Sequence, residues 1–186
     1  RSLEEVLKEV EELIRRAKEE SKRTLDDVRK LIEEVKRESE RSLRDVREMI
    51  ERAKDRIRRI KDEETLRRIL EEIKRIVEKL LEEDRKLLED VTEEIKRILE
   101  ENRKVLKEIK DRIARILERI KEEKGKDSEE VRKVVEDVER LLRDVERMSK
   151  EVEKRIRELL DDIRRVSERS RREIERLLED VERTAR

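Results

Sequence analysis

The 186-residue sequence carries 56 acidic side chains but neither histidine nor cysteine, and that limits its chemistry before any fold is considered. Acid–base and nucleophilic catalysis draw most often on His, or on Cys or Ser beside a base. The serines here have no imidazole to activate them. Carboxylate pairs are abundant, but a charged helix surface produces such pairs by chance. Zinc-thiolate sites and inward-facing Glu-x-x-His di-iron sites lack their ligands, and a single glycine cannot build a phosphate loop. Met49 and Met148 fall at helical spacing among apolar residues, where they read as core. The residues that stand out are small and polar: Ser21, Thr24, Ser39 and Ser42, then Asp84 and Asn102, then Ser149, Ser167 and Ser170. Each occupies a place in the pattern where its neighbours are aliphatic. Such residues can line a ligand pocket or form hydrogen-bonded layers inside a core. The layered reading is preferred, because a buried polar group without a partner costs about 1–3 kcal/mol and so penalises a slipped packing. Three states are open to Asp84: protonated, accepting from the serines, or reaching outward to a nearby arginine.

The elements that must position these residues are long helices. From Leu7 to Ile60 apolar residues recur every eighteen positions: Leu7, Leu25, Leu43; Val10, Val28, Val46; Ile14, Ile32, Ile50. Eighteen residues are five turns at about 3.6 residues per turn, so the stripe stays on one side of a straight helix. A seven-residue repeat would impose left-handed supercoiling and an eleven-residue repeat right-handed. The same cycle continues through Leu70, Leu88 and Leu106, through Val77, Ile95 and Ile113, and through Val138, Ile156 and Ile174.

The phase breaks after Ile60, where Lys61-Asp62-Glu63-Glu64-Thr65 supplies a turn with Asp62 as N-cap and glutamates in the first helical turn. A second break falls at Lys124-Gly125-Lys126-Asp127-Ser128, where glycine ends one helix and Asp127 or Ser128 caps the next. Asp127 and Glu130 have capping-box spacing. Ser2 is the expected N-cap of the first helix, with Glu4 and Glu5 near its positive end. The expected helices run over about 2–61, 63–123 and 128–185, each roughly 90 Å long at 1.5 Å per residue. Short turns between them require antiparallel neighbours. The fold class is thus all-α: a monomeric, antiparallel, up-down-up three-helix bundle of long, nearly straight helices, forming a single unit over 1–186.

This topology places the polar residues at common heights. Residues of the first two helices at one level should have numbers that add to about 126, and the first and third helices should be offset by about 125. Thr24, Asn102 and Ser149 meet both conditions, as do Ser42, Asp84 and Ser167. The result is two polar layers roughly 27 Å apart, with Ser21, Ser39 and Ser170 one turn away.

Composition excludes several kinds of partner. Basic and acidic residues cancel to a formal net charge of +0 and are mixed along every helix, although 60% of all residues are charged. Neither nucleic acid nor an anionic membrane is favoured by such a surface. The aromatic fraction is 0%, which removes the stacking platforms of single-strand binders. No apolar run suits a membrane span or a signal peptide, and the expectation is a soluble protein. No cofactor, metal, small-molecule ligand or protein partner is expected, and no enzymatic activity.

With Pro, Cys, His, Gln, Phe, Tyr and Trp all missing, and with stretches such as Leu66-Arg67-Arg68-Ile69-Leu70-Glu71-Glu72-Ile73, the whole chain resembles computationally designed, parametric three-helix bundles with straight helices. Those designs combine strong helix formers, deliberate caps, charged surfaces and aliphatic cores. The polar layers resemble buried hydrogen-bond networks added for specificity. The resemblance implies a structural scaffold without natural biochemical activity. The alternative is a natural spectrin-like or coiled-coil spacer that binds other proteins, for which heptads and core tryptophan would be usual.

Overall fold

The structure is a computed structural model that describes residues 2–186. Three helices account for nearly all of it: α1 (Leu3–Arg59), α2 (Glu63–Lys124) and α3 (Glu129–Thr184). Each has two glutamates in its first turn and at least one basic side chain in its last, the charge order that complements the helix dipole.

The helix ends follow from local chemistry. The Ser2 hydroxyl accepts the Glu5 N–H at 3.1 Å, satisfying one of the unpaired donors at the start of α1. At the other end, α1 tightens as the Ile60 N–H reaches the Ile57 carbonyl at 3.2 Å, and the chain reverses through Ile60, Lys61 and Asp62. No residue but Gly125 has a positive φ among those described, so this reversal needs no glycine. Asp62 opens α2. Its carboxylate accepts the Glu64 N–H at 3.3 Å and the Thr65 hydroxyl at 2.7 Å, and these bonds, Thr65 first, hold its carboxyl below the usual range. The α2–α3 turn does use glycine: Gly125 has φ +86° with open space where a Cβ would sit, so the demand there is conformational. The Ser128 carbonyl accepts the Arg132 N–H at 3.0 Å, which places Ser128 in the cap position. Asp127, one residue outside it, pairs with Arg132 instead.

The chain forms two compact units, each drawing on all three helices. One contains α1 through Arg29 together with Ile95–Glu158; the other contains Lys30–Glu94 and Leu159–Arg186. In the first, Val10, Ile14 and Ala17 of α1 close on Ile109 and Ile113 of α2 and on Val138 and Val145 of α3. Val6, Ile120 and Val131 form a smaller cluster toward the α2–α3 turn. In the second, Val46, Ile50 and Ile57 meet Ile73 and Val77, with Ile174 and Val181 from α3.

The centre of each stripe is β-branched. The largest side chains with almost no exposure are Ile32, Ile50, Ile95, Ile113, Ile156, Ile163 and Ile174, followed by valines. Leu3, Leu7, Leu25, Leu43, Leu70 and Leu88 flank them half-buried. A β-branched side chain in a helix is held to few rotamers and loses little further freedom at the axis of the bundle. Leucine reaches inward from the margins.

Contacts fix the helix directions. In the second unit, Arg47 pairs with Glu173 and Lys54 with Asp180, and both pairs lie 126 residues apart. A constant separation means that α1 and α3 run parallel. In the first unit, Arg103 meets Glu153 and Lys110 meets Glu146, so partners on α3 descend as those on α2 rise, and these two helices are antiparallel. Many other charges pair within one helix, as Arg15 does with Glu12 and Glu19, in the i,i+3 and i,i+4 relation that supports helices.

Candidate functional site: buried polar pairs between the helices

The residues with polar chemistry at inward positions sit in both units. In the first, Asn102 donates from Nδ2 to Thr24 Oγ1 at 3.0 Å. Ser149 lies half-buried on α3, and among the described residues no hydrogen bond joins it to that pair. Ser21, one turn before Thr24, has 0% exposure and its hydroxyl has no partner.

In the second unit, the Ser42 hydroxyl donates to Asp84 Oδ1 at 2.9 Å. Ser42 is buried and Asp84 half-buried. Burial pushes the Asp84 carboxyl up to about 6, the Ser42 bond opposes that rise, and Glu38 and Glu83 add to it. Of the three states open to this residue, the structure shows the one in which it accepts from a serine. Ser170 donates to the Ser39 carbonyl at 3.4 Å, a long bond that ties α3 to α1. Ser167 and Ser170 line a groove between α2 and α3 together with Asp84, Leu81 and Leu88.

Five polar residues are buried outright: Ser21, Thr24, Ser39, Ser42 and Asn102. The others of the predicted set, Asp84, Ser149, Ser167 and Ser170, are half-buried. The contacts that sequence reasoning missed are the ion pairs between helices, Arg47 with Glu173, Lys54 with Asp180, Arg103 with Glu153 and Lys110 with Glu146. Two of them match the α1–α3 offset used above to align the hydroxyls. The offset held the signal, but on helices this densely charged many other pairs satisfy it too.

Chemically, these groups are arranged as hydrogen-bonding pairs. The Thr24 hydroxyl accepts from an amide, and the Ser42 and Ser170 hydroxyls donate to a carboxylate and to a backbone carbonyl. Among the described residues no three carboxylates converge on a point where a metal ion could sit. Among the described residues no helix is long and apolar enough to cross a membrane.

The fold is that of a three-helix bundle. It is similar to a solved structure described as a computationally designed three helix bundle, with a TM-score of 0.76 over 98% of this chain and 90% of the other, at 20% sequence identity. No protein-family model and no curated protein matches the sequence.

Proposed function

We propose that this protein is a designed structural scaffold: a monomeric bundle without catalytic activity, in which polar layers set the register of an otherwise uniform aliphatic core. The observation that carries this reading is the pairing of Asn102 with Thr24 and of Ser42 with Asp84. The sequence separations of these pairs, 78 and 42, shrink toward the α1–α2 turn, as antiparallel register requires. An aliphatic stripe repeating every eighteen residues offers similar burial after a shift of five turns. A polar group shifted against Ile or Val loses its partner, at about 1–3 kcal/mol for each group left unsatisfied. Polar residues that specify register at some cost in stability are well attested in helical assemblies. The likeness to a designed bundle and a core that is aliphatic apart from these polar residues support the same reading.

Sedimentation equilibrium combined with circular dichroism tests it. The expected result is a single species of 22.9 kDa with high helicity at all accessible concentrations. A concentration-dependent mass with helicity that falls on dilution would contradict a self-sufficient bundle and favour an interaction module.

A further inference from the structure

We propose that the groove between α2 and α3 beside Asp84 binds a protonated primary amine carrying a compact apolar body. The inference goes beyond the scaffold reading and does not depend on the chain's origin. The groove has a volume of about 620 Å³, within the range of small-ligand sites, and it pairs apolar walls with a few polar groups as such sites do. Leu81 and Leu88 supply the walls, and Asp84, Ser167 and Ser170 the polar side.

The charges select the ligand. Three arginines line the groove, but each is held by a carboxylate other than Asp84. Arg85 is paired with Glu82 and Glu89, Arg171 with Glu168, and Arg164 with Asp161. Asp84 is left without a cation, and Glu78 on the same wall has no ion pair among the described residues. From α1, Glu38 adds negative potential, and Glu83 adds more from α2. Ser42 occupies Asp84 Oδ1, which leaves Oδ2 and the Ser167 hydroxyl as acceptors for ammonium protons. A half-buried carboxylate that burial pushes toward neutrality gains most from a counter-charge delivered with its own apolar cover. The ammonium group bonds Asp84 and Ser167, and the body fills the space against Leu81 and Leu88.

Titration with benzylamine at pH 7 and 0.15 M salt, followed by amide chemical shifts, tests the site against benzyl alcohol as a neutral probe of the same shape. Benzylamine is expected to saturate and to shift amides around residues 81–88 and 164–171. Benzyl alcohol and the Asp84→Asn variant should bind at least tenfold more weakly. The Asp84 carboxyl, followed by carbon NMR, should titrate at lower pH in the presence of benzylamine. Should Asp84→Asn fail to fold, Ser167→Leu fills the groove while keeping the carboxylate, and it too should lose binding. Equal binding of the alcohol, unchanged affinity in the variants, or shifts scattered evenly over the acidic surface would overturn the proposal.

Discussion

Asn102 on α2 and Thr24 on α1 are bonded side chain to side chain at 3.0 Å, with 2% and 3% of their surfaces exposed. Each satisfies a polar atom of the other, so removing one and removing both are different experiments. Thr24→Val should cost about 1–3 kcal/mol by stranding the Asn102 amide in the core, whereas Thr24→Val with Asn102→Leu should be near neutral or stabilising. Urea unfolding of the two single variants and the double variant measures the difference. A double variant as unstable as the sum of the singles would show that the pair is not coupled.

Ser21 lies one turn from Thr24 with its hydroxyl buried and unpartnered. Ser21→Ala removes a desolvated oxygen while leaving the small volume filled. Stability should rise by about 1 kcal/mol, read as a higher urea midpoint with an unchanged slope.

Asp84 should make part of the stability depend on pH. Its carboxyl titrates near 6 in the folded protein against a reference of 3.8, so between those values the folded state holds the proton and the unfolded state has released it. The contribution is therefore full below about pH 4 and is lost as pH rises through 6. Burial dominates, Ser42 works against it from α1, and Glu38 on α1 and Glu83 on α2 reinforce it; on the α3 side the groove presents Arg164, Glu168 and Arg171. Asp62 and Asp180, held low by their hydrogen bonds, pull the total the other way. The measurement is thus a difference: relative to Asp84→Asn, the parent should lose on the order of 1 kcal/mol between pH 4 and pH 7, allowing for solvent screening. A difference independent of pH would mean that Asp84 is solvated.

Depth in the stripe should separate otherwise similar variants. Ile95 has 0% exposure and Leu88 lies half-buried on the groove. Ile95→Asp places a charge where it can neither reach water nor find a partner, and should cost several kcal/mol or prevent folding. Leu88→Asp should cost clearly less, because its carboxylate reaches solvent through the groove. Thermal melts of both variants at pH 7 decide the order.

Much of this was legible in the sequence for a simple reason: helical geometry converts spacing into direction. Every residue named in the eighteen-residue cycle of α1, from Leu7 to Ile50, is buried or half-buried. The turn at Asp62 could be found without glycine because the apolar phase broke there and an aspartate stood ready to cap. Height was legible too, since two short turns fix the numbering offsets, and Thr24–Asn102 and Ser42–Asp84 follow them. What spacing does not carry is lateral position within a height. Ser21 and Thr24 share a stripe, yet the Thr24 hydroxyl has a partner and the Ser21 hydroxyl none. Ser149, expected level with Asn102, is half-buried, and among the described residues no hydrogen bond joins it to the Thr24–Asn102 pair. Leu88 and Leu106 share a cycle position, yet only Leu106 is buried, at 3% exposure.

Polar side chains of different helices meet inside the bundle, and the Asn102 side-chain amide reports on that directly. In a solution NMR spectrum its Nδ2 protons should show nuclear Overhauser contacts to the Thr24 methyl group and exchange slowly with water. Rapid exchange, with contacts confined to neighbours on α2, would place Asn102 in solvent and contradict the account.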